Sequence, residues 1–172
     1  MSTAPIRKPE EAFLPMIGRH AWSVSRTHGT FLTLEFGAPH LEVREPVVAS
    51  SDSLPTVKRL LARRRVFVVG DWHFWVKYGH WEIRTANHLV RSEEAHVAQI
   101  EEAVQELDGQ ILLSVAPGAA PNSCVLKFDL GGSLYIWPST DVGDDQWSIY
   151  PFNGNIISYQ MNGSISEHSR AE

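Results

Sequence analysis

Histidines, one cysteine, a few carboxylates and an arginine run are the side chains of this 172-residue chain from which chemistry would be built. There are eight histidines, with His20, His28 and His40 early and His73, His80 and His88 close together. Imidazole is the commonest metal ligand, but a site needs further ligands at a workable spacing. The chain has no His-Glu-x-x-His and no helical His pair at i and i+4. His73 and His80 are expected on adjacent strands, which would bring them near each other. The histidines therefore read as turn and boundary residues, and no metal or cofactor is assigned.

Cys124 is the only cysteine, which excludes an intrachain disulfide and a cysteine zinc cage. Its surroundings, Asn122-Ser123-Cys124-Val125-Leu126, read as a strand start. No helix N-terminus or basic neighbour is there to activate the thiol, so a buried structural cysteine is expected. Glu35 and Asp129 each stand one residue before an apolar-Gly pair. Paired carboxylates do acid–base work only where they meet in one cleft. Their parallel positions favour acids that satisfy turns or point outward, and no catalytic residue is assigned. Arg63-Arg64-Arg65 reads as a solvated charge run at a strand start. No Gly-x-Ser-x-Gly elbow, Walker loop or dinucleotide fingerprint is present.

The elements that must carry these residues form a pattern that occurs twice. Gly18 to Val24, Thr33 to Gly37, Leu41 to Val43 and Pro46 match Gly109 to Val115, Lys127 to Gly131, Leu134 to Ile136 and Pro138. Trp72-His73-Phe74-Trp75 matches Trp147-Ser148-Ile149-Tyr150. The expected organisation is one domain over 1–172, with repeats at 10–91 and 101–166, an insert at 47–65 and a disordered tail at 167–172. Each repeat starts with a helix. Pro15 should cut the first helix short. Ser92 should cap the second, which carries Val97, Ile100, Val104 and Leu107 at helical spacing and ends at Asp108-Gly109. Within the insert, residues 54–63 read as a short basic amphipathic helix.

Strands follow from alternation. Leu32, Leu34 and Phe36 alternate with Thr33 and Glu35, and Leu41 and Val43 continue the period. Residues 65–69 read as a buried strand. Residues 72–78 and 81–85 read as a hairpin about Gly79-His80. Asn153-Gly154 and Asn162-Gly163 are type I′ hairpin signals, and Gly131-Gly132 is a further turn. Trp72, Phe74 and Val76 share a face with Trp147 and Ile149, expected inward. His73, Trp75 and Lys77 share the other face with Tyr150. The fold class is mainly β (α+β): a duplicated helix-plus-antiparallel-meander unit about a pseudo-two-fold axis, in a sandwich or partly open barrel.

Composition sets outer bounds. The chain is 43% hydrophobic and 20% charged, with six Trp and seven Phe, enough for a real core. Its net charge of -5 argues against a nucleic-acid partner, whose binding rests on Lys and Arg. No apolar run approaches a membrane span and no signal peptide is evident, so a cytoplasmic location without a membrane partner is expected.

Gly70-Asp71-Trp72-His73-Phe74-Trp75 with Gly79-His80-Trp81-Glu82-Ile83, and Lys127-Phe128-Asp129-Leu130-Gly131-Gly132-Ser133-Leu134 with Gln146-Trp147-Ser148-Ile149-Tyr150, carry a likeness over residues 18 to 166. In these motifs the chain resembles a family of small uncharacterised bacterial proteins. The resemblance implies a single bacterial cytosolic domain and brings no activity with it.

The expected function is a non-enzymatic protein-interaction module, of the kind that neutralises a toxin, with an unknown protein partner or a second copy in a homodimer. Its expected surface is the part that the second repeat lacks: Arg63, Arg64, His73, Trp75, Lys77 and His80. The alternative is a small-ligand-binding or enzymatic domain with its site at the repeat junction. A deep pocket holding His73, His80 or Glu35 would favour that alternative.

Overall fold

A computed structural model describes residues 6–140 and 144–170. The elements run in order: a 3-10 helix (Pro9–Met16), β1 (Ala21–Arg26), β2 (Leu32–Phe36), β3 (His40–Arg44), α1 (Pro55–Leu61), β4 (Arg65–Val69), β5 (Trp72–Val76), β6 (His80–Arg84), β7 (Leu89–Arg91), α2 (Val97–Leu107), β8 (Leu112–Pro117), β9 (Cys124–Phe128), β10 (Ser133–Trp137), β11 (Asp145–Pro151), β12 (Ile156–Gln160) and β13 (Ile165–His168). The fold is a mainly β, α+β sandwich of antiparallel sheets that do not close into a barrel.

One sheet has the order β1-β2-β5-β11-β12-β13, and the other β7-β6-β10-β9-β8. Among the described residues β3 and β4 pair only with each other. With α1 and β4 set aside, residues 9–91 and 97–168 each run as one helix and six strands. At the centre of the six-stranded sheet Phe74 lies opposite Ile149, flanked by His73 opposite Tyr150 and Trp75 opposite Ser148.

Period-2 alternation explains the core. Leu32, Leu34, Phe36, Phe74, Val76, Trp147 and Ile149 are buried on the inner face of the first sheet, and Trp81, Ile83, Leu126, Leu134 and Ile136 belong to the same cluster from the second. Phe13 of the 3-10 helix packs edge-on against Phe74 at 5.1 Å and tilted against Trp147 at 5.0 Å. On α2, Ile100, Ala103, Val104 and Leu107 are buried, while Val97 is exposed.

Several expectations need correction. Pro15 does not stop the first helix, which is a 3-10 helix running through to Met16. Ser92 does not cap α2. Its hydroxyl accepts the Trp81 N–H at 3.0 Å beside β7, and the helix starts after His96. β5 and β6 do not form a hairpin, because the chain crosses from one sheet to the other at Lys77 to Gly79. Asn153 and Asn162 keep negative φ, and only Gly154 and Gly163 are left-handed, so these turns are not type I′. β2 is buried on both faces, including Thr33 and Glu35. β4 is mostly exposed instead of buried. Residues 167 and 168 lie in β13 instead of a loose tail, and Arg170 pairs with Glu42 at 3.3 Å. Residues 171 and 172 of that tail lie outside the described residues.

Candidate functional site

β2, β5 and β11 lie side by side, so their cross-strand partners form rows on the outer face of the sheet. Glu35 is opposite His73, and His73 is opposite Tyr150. Trp75 stands one row further along. The Glu35 carboxylate is nearly buried. One oxygen accepts the Gly70 N–H at 2.7 Å, and the other holds Nδ1 of His73. A carboxylate can only accept, so Nδ1 donates and the ring orientation is set. Nε2 of His73 has no hydrogen-bond partner among the described residues. Lys77 continues the face, with Nζ 4.9 Å from the Trp75 ring centre, 5.5 Å from that of Tyr150 and 3.4 Å from the Asp145 carboxylate.

β3 and β4 leave the sheet and form an arm beside this face. Two glycines permit the departure. Gly37 has φ +80°, and a Cβ there would meet the Asp71 side chain. At Gly70 a Cβ would lie 2.4 Å from the carbonyl oxygen of Phe36. Asp71 fastens the base of the arm by accepting the Ala38 N–H at 2.7 Å and pairing with Nε2 of His40 at 2.6 Å. The His40 and Ala38 bonds hold its carboxyl below the usual aspartate range. His40 also stacks on Phe152 at 4.1 Å.

Between the arm and the sheet lies an open cleft of about 610 Å³. Glu35, His73, Trp75 and Tyr150 line the sheet side, and Glu42, Arg44 and Phe67 line the arm side with Arg170. Glu42 takes both arginines: its Oε1 is 2.9 Å from Arg44 Nη2 and its Oε2 is 3.3 Å from Arg170 Nη1. The indole N–H of Trp75 and the Nε of Arg170 are buried without a partner among the described residues.

The alternate residues of the arm are apolar, and two of them, Val43 and Val68, also line the cleft. The register sets Leu41 opposite Val68 and Val43 opposite Val66. These four are 67%, 56%, 50% and 55% exposed in that order. α1 contributes no buried residue, and Leu54, Val57 and Leu60 are exposed beside it.

The six residues expected to form one surface occupy separate places. His73 and Trp75 line the cleft, and Lys77 follows them on the same face. His80 is on the other sheet, 3.2 Å from the Glu93 carboxylate, and does not meet His73. Arg63 and Arg64 sit where α1 turns into β4, with Arg64 paired to Glu45 at 2.9 Å. No comparison decides among these places: no family model, curated protein or solved structure matches the chain.

Glu35 and Asp129 do not converge. Asp129 accepts the Ile111 N–H at 2.8 Å in an exposed turn, so their parallel sequence positions hide different duties. Cys124 is buried and burial pushes its thiol up to about 12, which makes it inert as a nucleophile. Among the described residues no group of three or more His, Cys, Asp or Glu is arranged to hold a metal ion. Sequence reasoning missed Glu42, Arg44, Phe67 and Arg170. Alternation along β3 puts Glu42 and Arg44 on one face, which was a usable signal, whereas nothing local marks Arg170.

Proposed function

We propose that this chain is a protein-interaction module, with the β3–β4 arm and α1 as its contact surface. The observation that carries the reading is the exposed row of Leu41, Val43, Val66 and Val68 on a ribbon whose two edges are unpaired among the described residues. A two-stranded ribbon alone is marginal in water. Contiguous exposed apolar surface marks interaction sites, and unpaired strand edges invite pairing.

The element order supports the same reading. We infer that residues 9–91 and 97–168 are copies of one unit. In support, their order of elements agrees once α1 and β4 are removed, and β5 and β11 pair about Phe74 and Ile149. On that equivalence β10 corresponds to β3. β10 lies in the middle of the five-stranded sheet, while β3, next to the insert, is diverted into the arm.

Charge selects the partner. Residues 40–69 contain six of the fifteen basic side chains and three of the twenty acids, giving +3 and leaving -8 on the rest of the chain. A complementary partner is apolar at its centre and acidic at its rim. The remainder of a second copy has that sign, so self-association is the first form to test. Light scattering at several concentrations should show a dimer at low salt that weakens as salt is added. Val66→Asp with Val68→Asp should leave a monomer with an unchanged circular dichroism spectrum. A strictly monomeric mass throughout would reject self-association. Unchanged cross-linking in cells from a photoreactive residue at position 57, with and without the double substitution, would reject the arm as a contact surface.

A further inference from the structure

The His73 ring presents one unused nitrogen in the lining of the cleft. Its Nδ1 donates to one oxygen of the nearly buried Glu35 carboxylate, and the Gly70 N–H takes the other oxygen. In a neutral imidazole the nitrogen without the hydrogen accepts, so this bond makes Nε2 an acceptor. Nε2 has no partner among the described residues and is not one of the enclosed polar atoms, so it is open to solvent. Charge selects no ion here. In the lining Glu35 and Glu42 balance Arg44 and Arg170, and Lys77 close by is paired with Asp145 at 3.4 Å. The Trp75 Nε1 and Arg170 Nε donors are enclosed and offer the cleft nothing. The rest of the lining is chiefly apolar, with Tyr150 and Ile156 on the sheet and Phe67, Val68 and Val69 on the arm. Tyr150 stands next to the acceptor, its ring centre 5.9 Å from that of His73. A sheet face on one side and a two-stranded ribbon on the other leave a slot, and about 610 Å³ is within the usual range for small organic ligands.

We propose that this cleft binds a small, uncharged, flat aromatic molecule that carries an N–H or O–H donor, the donor meeting Nε2 of His73 and the ring lying against Tyr150. Glu35 acts through His73: it touches no ligand, and it sets which ring nitrogen accepts. The site needs nothing docked on the arm.

Isothermal titration of the full chain with indole, which only donates, and with quinoline, a flat bicycle of similar size that only accepts, tests this near pH 8, where a histidine ring is ordinarily neutral. One saturable site is expected for indole, with quinoline weaker by about tenfold. Glu35→Gln keeps its oxygen on the Gly70 N–H and so turns its NH2 toward Nδ1. Nδ1 must then accept, the ring hydrogen moves to Nε2, and the preference should reverse to quinoline, which damage to the fold would not produce. Nitrogen-15 spectra of the His73 ring should show the hydrogen on Nδ1 in the parent and on Nε2 in the variant. His73→Leu removes the acceptor and should leave the two ligands bound alike, wherever the hydrogen lies in the other variant. No saturation by millimolar indole would overturn the proposal, as would equal binding of both ligands to the parent. A ring hydrogen on Nε2 in the parent would refute the role of Glu35. A preference for indole that survives His73→Leu would place any binding elsewhere.

Discussion

Replacing Glu35 by alanine should cost far more than its place on an outer sheet face suggests. The side chain is only 8% exposed and accepts both the Gly70 N–H at 2.7 Å and Nδ1 of His73. Alanine removes a charged acceptor and strands two donors. Hydrogen bonds to charged groups contribute about 1.5–3 kcal/mol each, with part of the loss recovered where His73 reaches water. The expected destabilisation is about 3 kcal/mol, most of it from Gly70, which cannot withdraw because it is pressed against the Phe36 backbone. For a chain of this size, that lowers Tm by about 6–12 °C. Glu35→Gln keeps an acceptor for Gly70 and the same shape, so about 1 kcal/mol is expected. Chemical denaturation followed by tryptophan fluorescence, with thermal melts by circular dichroism, would measure both. If alanine falls within about 0.5 kcal/mol of the parent, in the range of an ordinary surface change, Glu35 does not hold the start of β5, and the fixed His73 geometry goes with it.

Two further predictions concern titration and reactivity. His88 bonds Glu102 at 2.9 Å and lies 3.2 Å from Glu106, and the Glu106 and Glu102 carboxylates raise its pKa above 6.5. Its stabilisation is present below pH 6.5 and fades as pH climbs through the raised value. Bonds from Thr85, Asn87 and His88 lower Glu106 from 4.5 to about 2, so its share is present above pH 4.5 and is lost as pH falls toward 2. Melting curves across pH should therefore show Glu106→Gln abolishing part of the acid slope and His88→Gln flattening the alkaline one; parallel profiles for parent and variants would contradict this. Cys124, buried with its thiol at about 12, should resist a disulfide reagent at pH 8 until the protein unfolds. Rapid labelling of the native chain would show that the β9 end opens readily.

The inward parity of β5 and β11 was legible because alternation is a local signal and Phe74, Val76, Trp147 and Ile149 obey it. The parting of β5 from β6 was not, since a strand that returns in its own sheet and one that crosses to a facing sheet show the same alternation. The arm escaped notice for a related reason. Val66-Phe67-Val68-Val69 is the composition of a buried strand, and only tertiary context puts three of the four in solvent. Half of the site could be read: His73 and Trp75 stood out by face. Glu35 was undervalued because its partners are 38 and 35 positions away. Arg170 meets Glu42 across 128 positions, a distance at which one sequence carries no signal.

The interleaving of the two sheets has a consequence for how the chain is made. The six-stranded sheet takes β1, β2 and β5 from the first half and β11 to β13 from the second. The other takes β6 and β7 from the first and β8 to β10 from the second. A ribosome that has released residues up to Arg91 has released no finished layer, only strands awaiting neighbours. Folding must wait for β11 to emerge and close on β5, and such long-range pairing is slow. Until then the inner faces around Phe74 and Trp81 are open to other chains. The halves expressed as two polypeptides should be insoluble apart and should assemble together.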